Sequence, residues 1–424
     1  MKRINGLIVT MLAFALLTGC SPDGDEHISQ SESFPGAEYP YSMRTQLGWA
    51  TFAESDSGYY FFVPKCLFYM DKDSMEPVVL CDKPNCLHYD EPDVNVFRTC
   101  KAYFNSTISW DYTSWYDGNV YILAKSIVDI PEEKRHAMVW EVVCISPDGS
   151  NRKTVWRIGE DIIIDGMAIS HGYLYLAMSG YGEDAKGTGS IWQLSLKKVG
   201  AQPKRIFETE KVGIFKSVDF LNAYMGQLYF FRTIDESGET ELCILEPQSG
   251  DLTTISVTED GFSPLYALFQ GSYLLLECRI MTPQGDPMLP DSYPQRLYRC
   301  SLDGNGMELL REGLGYYTAD DRYIYMVEDL DQAERPEPCV RIYDGNMNEV
   351  DCVDLQHLDT GDSIGLISCT ASRSDQVILE LSCHGDSGTY VECYWFEKNE
   401  IGSGQIKLHQ FFEYDFQRYS SANR

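Results

Sequence analysis

The chain has 424 residues, with 34 Lys and Arg against 64 Asp and Glu, a formal charge of −30 at pH 7. A body this acidic repels a phosphate backbone, which argues against nucleic-acid binding. Its 28 Tyr, 19 Phe and 7 Trp can fill a buried core, which argues against wholesale disorder.

Lys2 and Arg3 precede an apolar run, residues 6–17, that leads into Leu17-Thr18-Gly19-Cys20. The run is too short to span a bilayer, which takes about 20 residues, and it suits the apolar centre of a secretory signal. The order of charge, apolar run, small residues and Cys resembles a bacterial lipoprotein signal. That resemblance implies a signal peptide over 1–19 and a diacylated Cys20 as the new N-terminus. It places the chain outside the cytoplasm, lipid-anchored to the bacterial cell membrane. An ordinary signal peptide or membrane anchor with a chance Cys is the alternative.

Residues 20–42 are acidic, rich in Ser and broken by Pro and Gly, and read as a flexible tether. Cleavage removes Lys2 and Arg3 but no acid, so the mature body is more acidic still. Anionic lipid repels it, which leaves the acyl chains as its hold on the membrane.

From residue 43 to 415 one unit recurs: a turn residue, then an alternating aromatic and aliphatic run. The first copies are SGYYFFV (57–63), DGNVYILA (117–124) and HGYLYLAM (171–178), anchored on Gly58, Gly118 and Gly172. Later anchors are Gly226, Gly271, Asp321 and Asp375. A strand–turn–strand element follows each run, with Asp-Gly or Ser-Gly at several tips, and a shorter strand precedes it. Four strands per unit of about 50 residues predict an all-β fold, a β-propeller of about seven four-stranded blades. Six or eight blades, or a pair of β-sandwiches, are the alternatives. Residues 416–424 form a C-terminal tail.

The longest step between anchors contains an insertion over 81–104. It holds Cys81, Cys86, His88 and Cys100, with Lys83-Pro84-Asn85 favouring a turn between the first two. Three thiolates and an imidazole form the ligand set of a closed structural zinc site. Export equally allows a disulfide, with Cys86 to Cys100 as the clip and Cys81 or Cys66 as alternatives. Free thiols are the third reading. Each makes the segment a staple between blades. Cys144, Cys243, Cys300 and Cys393 recur in the outer hairpins and read as small core residues.

Connections leaving the anchored strands are long: 125–138, 179–189, 232–239, 279–294 and 328–338. They gather on one face, where a rigid scaffold would present them for binding. Tyr181, Asp184, Arg279, Asp286, Asp291, Arg335 and Glu337 are its candidate exposed residues. Gly385-Asp386-Ser387-Gly388 is similar to the nucleophile segment of chymotrypsin-like proteases, but it falls between two predicted strands, where turn chemistry wants the same residues. His384 beside it reads as a loop residue. No catalytic residue is singled out.

The segment LCDKPNCLHYDEPDVNVFRTCKAYF (80–104), the lipoprotein signal and the aromatic repeats together resemble surface lipoproteins of Gram-positive gut bacteria. The hairpin LYRCSLDG (297–304) is similar to those of TolB-type propellers, which usually have six blades. The resemblance implies a monomeric surface module and transfers no catalytic residue. A binding or scaffold module for an extracellular protein, peptide or glycan is the expected function. A propeller-type polysaccharide hydrolase or lyase, and an envelope assembly factor, are the alternatives.

Overall fold

The computed structural model describes residues 52–415, apart from 64, 89–90, 92, 105, 131–134, 160–161, 181–187, 210–217, 235–238, 257–261, 281–294, 314–315, 328–337, 357, 359–362, 372–374 and 386–387. The expected signal peptide, the tether with Cys20 and the tail lie outside these residues. Seven four-stranded antiparallel sheets follow one another along the chain, and in each the strands pair in sequence order. They span residues 52–79, 106–158, 162–209, 218–255, 262–312, 316–354 and 363–415, here blades 1 to 7. First strands of neighbouring blades touch one another, which puts them nearest the axis. The fold is a seven-bladed β-propeller.

Successive side chains of a strand point to opposite faces, and each blade is covered on both faces by its neighbours. The strand Gly58–Val63, GYYFFV, is therefore buried throughout. Tyr59, Phe61 and Val63 enter the apolar cluster shared with blade 7. Tyr60 and Phe62 enter the cluster shared with blade 2. One such cluster fills each of the seven seams. Cys144, Cys243, Cys300 and Cys393 lie buried within them, as their hairpin positions predict.

The inner hairpins turn as the anchors imply. Asp117-Gly118 and His171-Gly172 have φ of 46°, 73°, 51° and 83°. Two consecutive positive φ values make a type I′ turn, whose twist matches the strands it joins. His171 is thus a turn residue. The first strands of five blades also carry an irregularity in register, between Ile108 and Thr113, Ala177 and Met178 opposite Asp165, Asp219 and Asn222, Pro264 and Tyr266, and Ile364 and Leu366. Such bulges bend and twist a strand, here beside the axis.

One expected loop is shorter than its sequence suggests. Over 125–138 the strands Asn119–Ile130 and Arg135–Ile145 continue as a paired hairpin out to Ile130 opposite Arg135. Lys125 and Asp129 interrupt the apolar run and mimic a loop in sequence, yet the backbone ladder continues through both.

The seam between blades 7 and 1 is built from rings. Phe61 stacks on Phe52 and Phe68 at 5.0 and 5.3 Å between centroids, and meets Phe411 and Phe412 of blade 7 edge-on at 6.4 and 5.9 Å. The Tyr59 hydroxyl donates to Gln376 Oε1 across the seam at 3.1 Å. Phe61→Ala is expected to lower stability to denaturant by about 3–5 kcal/mol, and Phe61→Leu by much less. A loss below about 1 kcal/mol for the alanine variant would show that the seam is not the structural contact its packing indicates.

Candidate metal centre

The insertion begins where the outer strand of blade 1, Pro77–Val79, ends. The Cys81 N–H donates to the Val79 carbonyl, and the Cys86 N–H reaches back to Lys83, closing a turn over Pro84 and Asn85. Asn85 and His88 both take positive φ, 58° and 53°, which swings the two limbs of the turn round on each other. A short helix, Val94–Phe97, follows, and the Cys100 N–H caps it on the Phe97 carbonyl. The chain then runs back along blade 1. Leu67 N–H donates to the Ala102 carbonyl, Phe104 N–H to the Lys65 carbonyl, and Cys66 bridges Tyr103.

This folding brings together four donor atoms, from Cys81, Cys86, His88 and Cys100, all within 4.8 Å of one another. Cys100 Sγ lies 3.5 Å from His88 Nδ1. A tetrahedral zinc with bonds of about 2.0–2.3 Å needs donors roughly 3.5–3.8 Å apart. The donor set and spacing therefore fit a closed metal site with only a small contraction. An ion pair, Lys101 Nζ to Asp82 Oδ1 at 2.8 Å, and a hydrogen bond from Lys83 Nζ to Thr99 Oγ1 tie the limbs together outside the cluster.

Sequence spacing under-weights a fourth sulfur. Cys66 is buried on the third strand of blade 1, and its S–H donates to Cys100 Sγ. That hydrogen bond is the largest cause holding the Cys100 thiol down to about 4, with further donation from His88, the Ala102 N–H and Cys81. The shift favours the thiolate, the form that binds a cation. The bond to that thiolate, reinforced by burial, pushes the Cys66 thiol far up. Burial chiefly pushes Cys86 up to about 11. A divalent cation would offset the repulsion that ionising further thiols creates. No disulfide joins Cys66, Cys81, Cys86 or Cys100.

Of the binding-face candidates, Tyr181, Asp184, Asp286, Asp291, Arg335 and Glu337 lie outside the described residues. Arg279 is placed otherwise than expected. It belongs to the strand Tyr273–Ile280, its side chain is 7% exposed, and Nη2 lies 3.0 Å from Glu277 Oε1. Residues two apart on a strand share a face, so the Glu-x-Arg spacing was the signal that they pair. His384 also belongs to a strand, Gln376–Gly385, with Nδ1 2.9 Å from Thr389 Oγ1 across the hairpin. A Gly-x-Ser-x-Gly pattern, Gly361-Asp362-Ser363-Ile364-Gly365, escapes the sequence reading. Ser363 opens the inner strand of blade 7, opposite His384 in register. A nucleophile elbow needs a strand-to-helix turn, and this segment leads into a strand.

No protein-family model matches the chain, and no curated protein matches it. Solved structures do. A prolyl endopeptidase superposes with a TM-score of 0.52 at 12% identity, over 85% of this chain and 49% of that one. The β-propeller domain of the Trilobed protease from Pyrococcus furiosus, which has an open velcro topology, gives 0.43 at 12% identity over 73% and 97%. A protein described as TolB from Agrobacterium tumefaciens gives 0.40 at 10% identity over 64% and 83%. The chain spans about half the length of the prolyl endopeptidase. At these identities the likeness is one of fold alone.

Burial pushes the Glu277 carboxyl up, against the opposing pull of Arg279. Arg279→Met is expected to cost about 3–5 kcal/mol at neutral pH, because it strands a buried charge. Without Arg279 the folded-state pKa of Glu277 rises further. The deficit is therefore full above that pKa and shrinks as the pH falls through it and the carboxyl takes a proton. Urea unfolding of both proteins across pH checks this, and a deficit independent of pH would contradict it.

Proposed function

We propose that the chain is an extracytoplasmic propeller, lipid-anchored through Cys20, that binds or scaffolds a protein, peptide or glycan without catalysing a reaction on it. Cys81, Cys86, His88 and Cys100 would hold a structural zinc ion within it. The observation that carries this reading is the four-donor cluster. Four protein ligands leave no coordination position for water or substrate, which is the arrangement of structural zinc and not of catalytic zinc. The ion would supply a cross-link and neutralise thiolate charge.

Topology supports the binding role. Connections from second to third strands all emerge at the same end of the blades. In blade 1 that connection is short, between Val63 and Cys66, and the cysteine module folds back over it. The metal module thus lies at the end of the propeller where second strands give way to third strands. The formal charge of −30 favours cationic or neutral ligands there and disfavours anionic polymers.

Elemental analysis of the purified, non-reduced chain is expected to show about one zinc per chain, lost in Cys86→Ser. A metal-free protein with Cys86 and Cys100 in one disulfide-linked peptide would replace this reading with the disulfide.

The binding role is tested on cells displaying the chain, probed with an array of cell-wall glycans and cationic peptides. The wild type is expected to stay cell-bound and capture a ligand. Cys20→Ala should be released to the medium and still capture it. A variant with 281–294 replaced by a short Gly-Ser linker should stay cell-bound, keep its melting temperature and lose capture. Collapse of the fold in that variant, or undiminished capture, would remove the assignment of the binding end.

A further inference from the structure

We infer that the metal centre is the clasp of the ring: with its ion bound it holds blade 1 against blade 7, and loss of the ion opens that seam before any other. The inference rests on reading Cys81, Cys86, His88 and Cys100 as a zinc site.

Blades 1 and 7 come from opposite ends of the described chain, and each builds its four strands from its own segment. Among the described strands, none of blade 7 is hydrogen-bonded into the sheet of blade 1. At the six other seams the chain itself passes from one blade to the next. Blade 1 also has little backbone to offer, since its first and fourth strands, Phe52–Glu54 and Pro77–Val79, are three residues each.

The metal module compensates from the side of blade 1. Cys100, Phe97, Ala102 and Tyr103 belong to the same buried cluster as Phe61 and Phe68 of blade 1 and Val391, Cys393 and Tyr414 of blade 7. Cys81 and Cys86 pack against it from outside. The module is also fixed to blade 2, where Arg152 donates to the Tyr103 carbonyl at 3.0 Å and lies over the Phe104 ring. An ion bound by both limbs of the module would hold Cys100 and its neighbours rigid in the seam. Without it, nothing joins Cys81, Cys86 and His88 on one limb to Cys100 on the other, and the limbs are free to part. Local opening follows the least connected contact first.

Buried cysteines report on the seams individually. Cys393 is 1% exposed in the seam of blades 7 and 1. Cys243 is 0% exposed in the seam of blades 3 and 4, and Cys278 0% exposed in that of blades 4 and 5. The ligands Cys81, Cys86 and His88 are partly exposed, so a chelator can reach the ion.

The experiment is a timed pulse of iodoacetamide on the intact native chain, with and without chelator, read by peptide mass mapping at each cysteine. Removal of zinc, confirmed by elemental analysis, should speed labelling of Cys393 about tenfold while Cys243 and Cys278 stay within about twofold. Restoring zinc before the pulse should restore protection, and magnesium should not. Cys86→Ser should match the chelated wild type without chelator. Unchanged protection of Cys393 in metal-free protein would overturn the inference, as would all three cysteines rising together. Absence of zinc from the isolated protein would overturn the zinc reading itself and this inference with it.

Discussion

A ring of blades must close on itself, and this one closes through side chains between blade 1 and blade 7. With no described strand shared across that seam, the contact depends on packing and on whatever braces it. Six phenylalanines gather there: Phe52, Phe61, Phe68 and Phe97 from the first blade and its insertion, Phe411 and Phe412 from the last. Aromatic pairs at such distances contribute about 0.5–1.5 kcal/mol each beyond the apolar area they bury. Packing of this kind is strong when complete and weak when partly opened, because dispersion falls steeply with separation. A brace that prevents the first small opening is therefore worth more than its own contact area suggests.

The rest of the propeller follows from blades that are covered on both faces. Second strands become near-continuous apolar runs, and small residues are needed where neighbouring sheets come close. Cysteine meets that need in several seams, which explains much of the cysteine content without redox chemistry. Two of the buried carboxylates come with guanidinium partners. Arg232 Nε donates to Glu241 Oε1 at 2.7 Å in blade 4, and Arg279 pairs with Glu277 in blade 5. Both pairs sit near the end that carries the second-to-third connections. They fix the direction of strand ends from which those connections depart, at the cost of desolvating two charges each.

Much of this was legible in the sequence because the physics repeats with the unit. Burial on both faces writes apolar runs, and tight turns write Gly beside Asp or His, so blade number and strand order could be read directly. The cysteine insertion was legible by donor chemistry, since Cys81, Cys86, His88 and Cys100 stand close along the chain. Cys66 was harder, because its contact with Cys100 depends on the insertion folding back along the third strand of blade 1. Arg279 was misplaced because a charge at the end of an apolar run reads as exposed. Only its partner two residues earlier, Glu277, makes its burial affordable in free energy. The 125–138 hairpin was read as a loop because Lys125, Asp129 and the charged run 132–135 break the apolar pattern that marks strands elsewhere.

Charge bears on the same seam. With 64 acidic residues against 34 Lys and Arg, the folded body carries a large excess of like charge. Arg157, Arg205 and Arg296 each lie against a carboxylate within their own blade, whereas Arg299 pairs with Glu308 in its own blade and also donates to the Gly345 carbonyl of the next. Repulsion among the excess acids acts on the ring as a whole, and it is relieved by any opening that increases their separation. The seam without a chain crossing is where such an opening has the least backbone to strain. A divalent cation held by Cys81, Cys86, His88 and Cys100, as proposed, would cross-link the segment beside that seam and so oppose the global repulsion where the described ring is least connected.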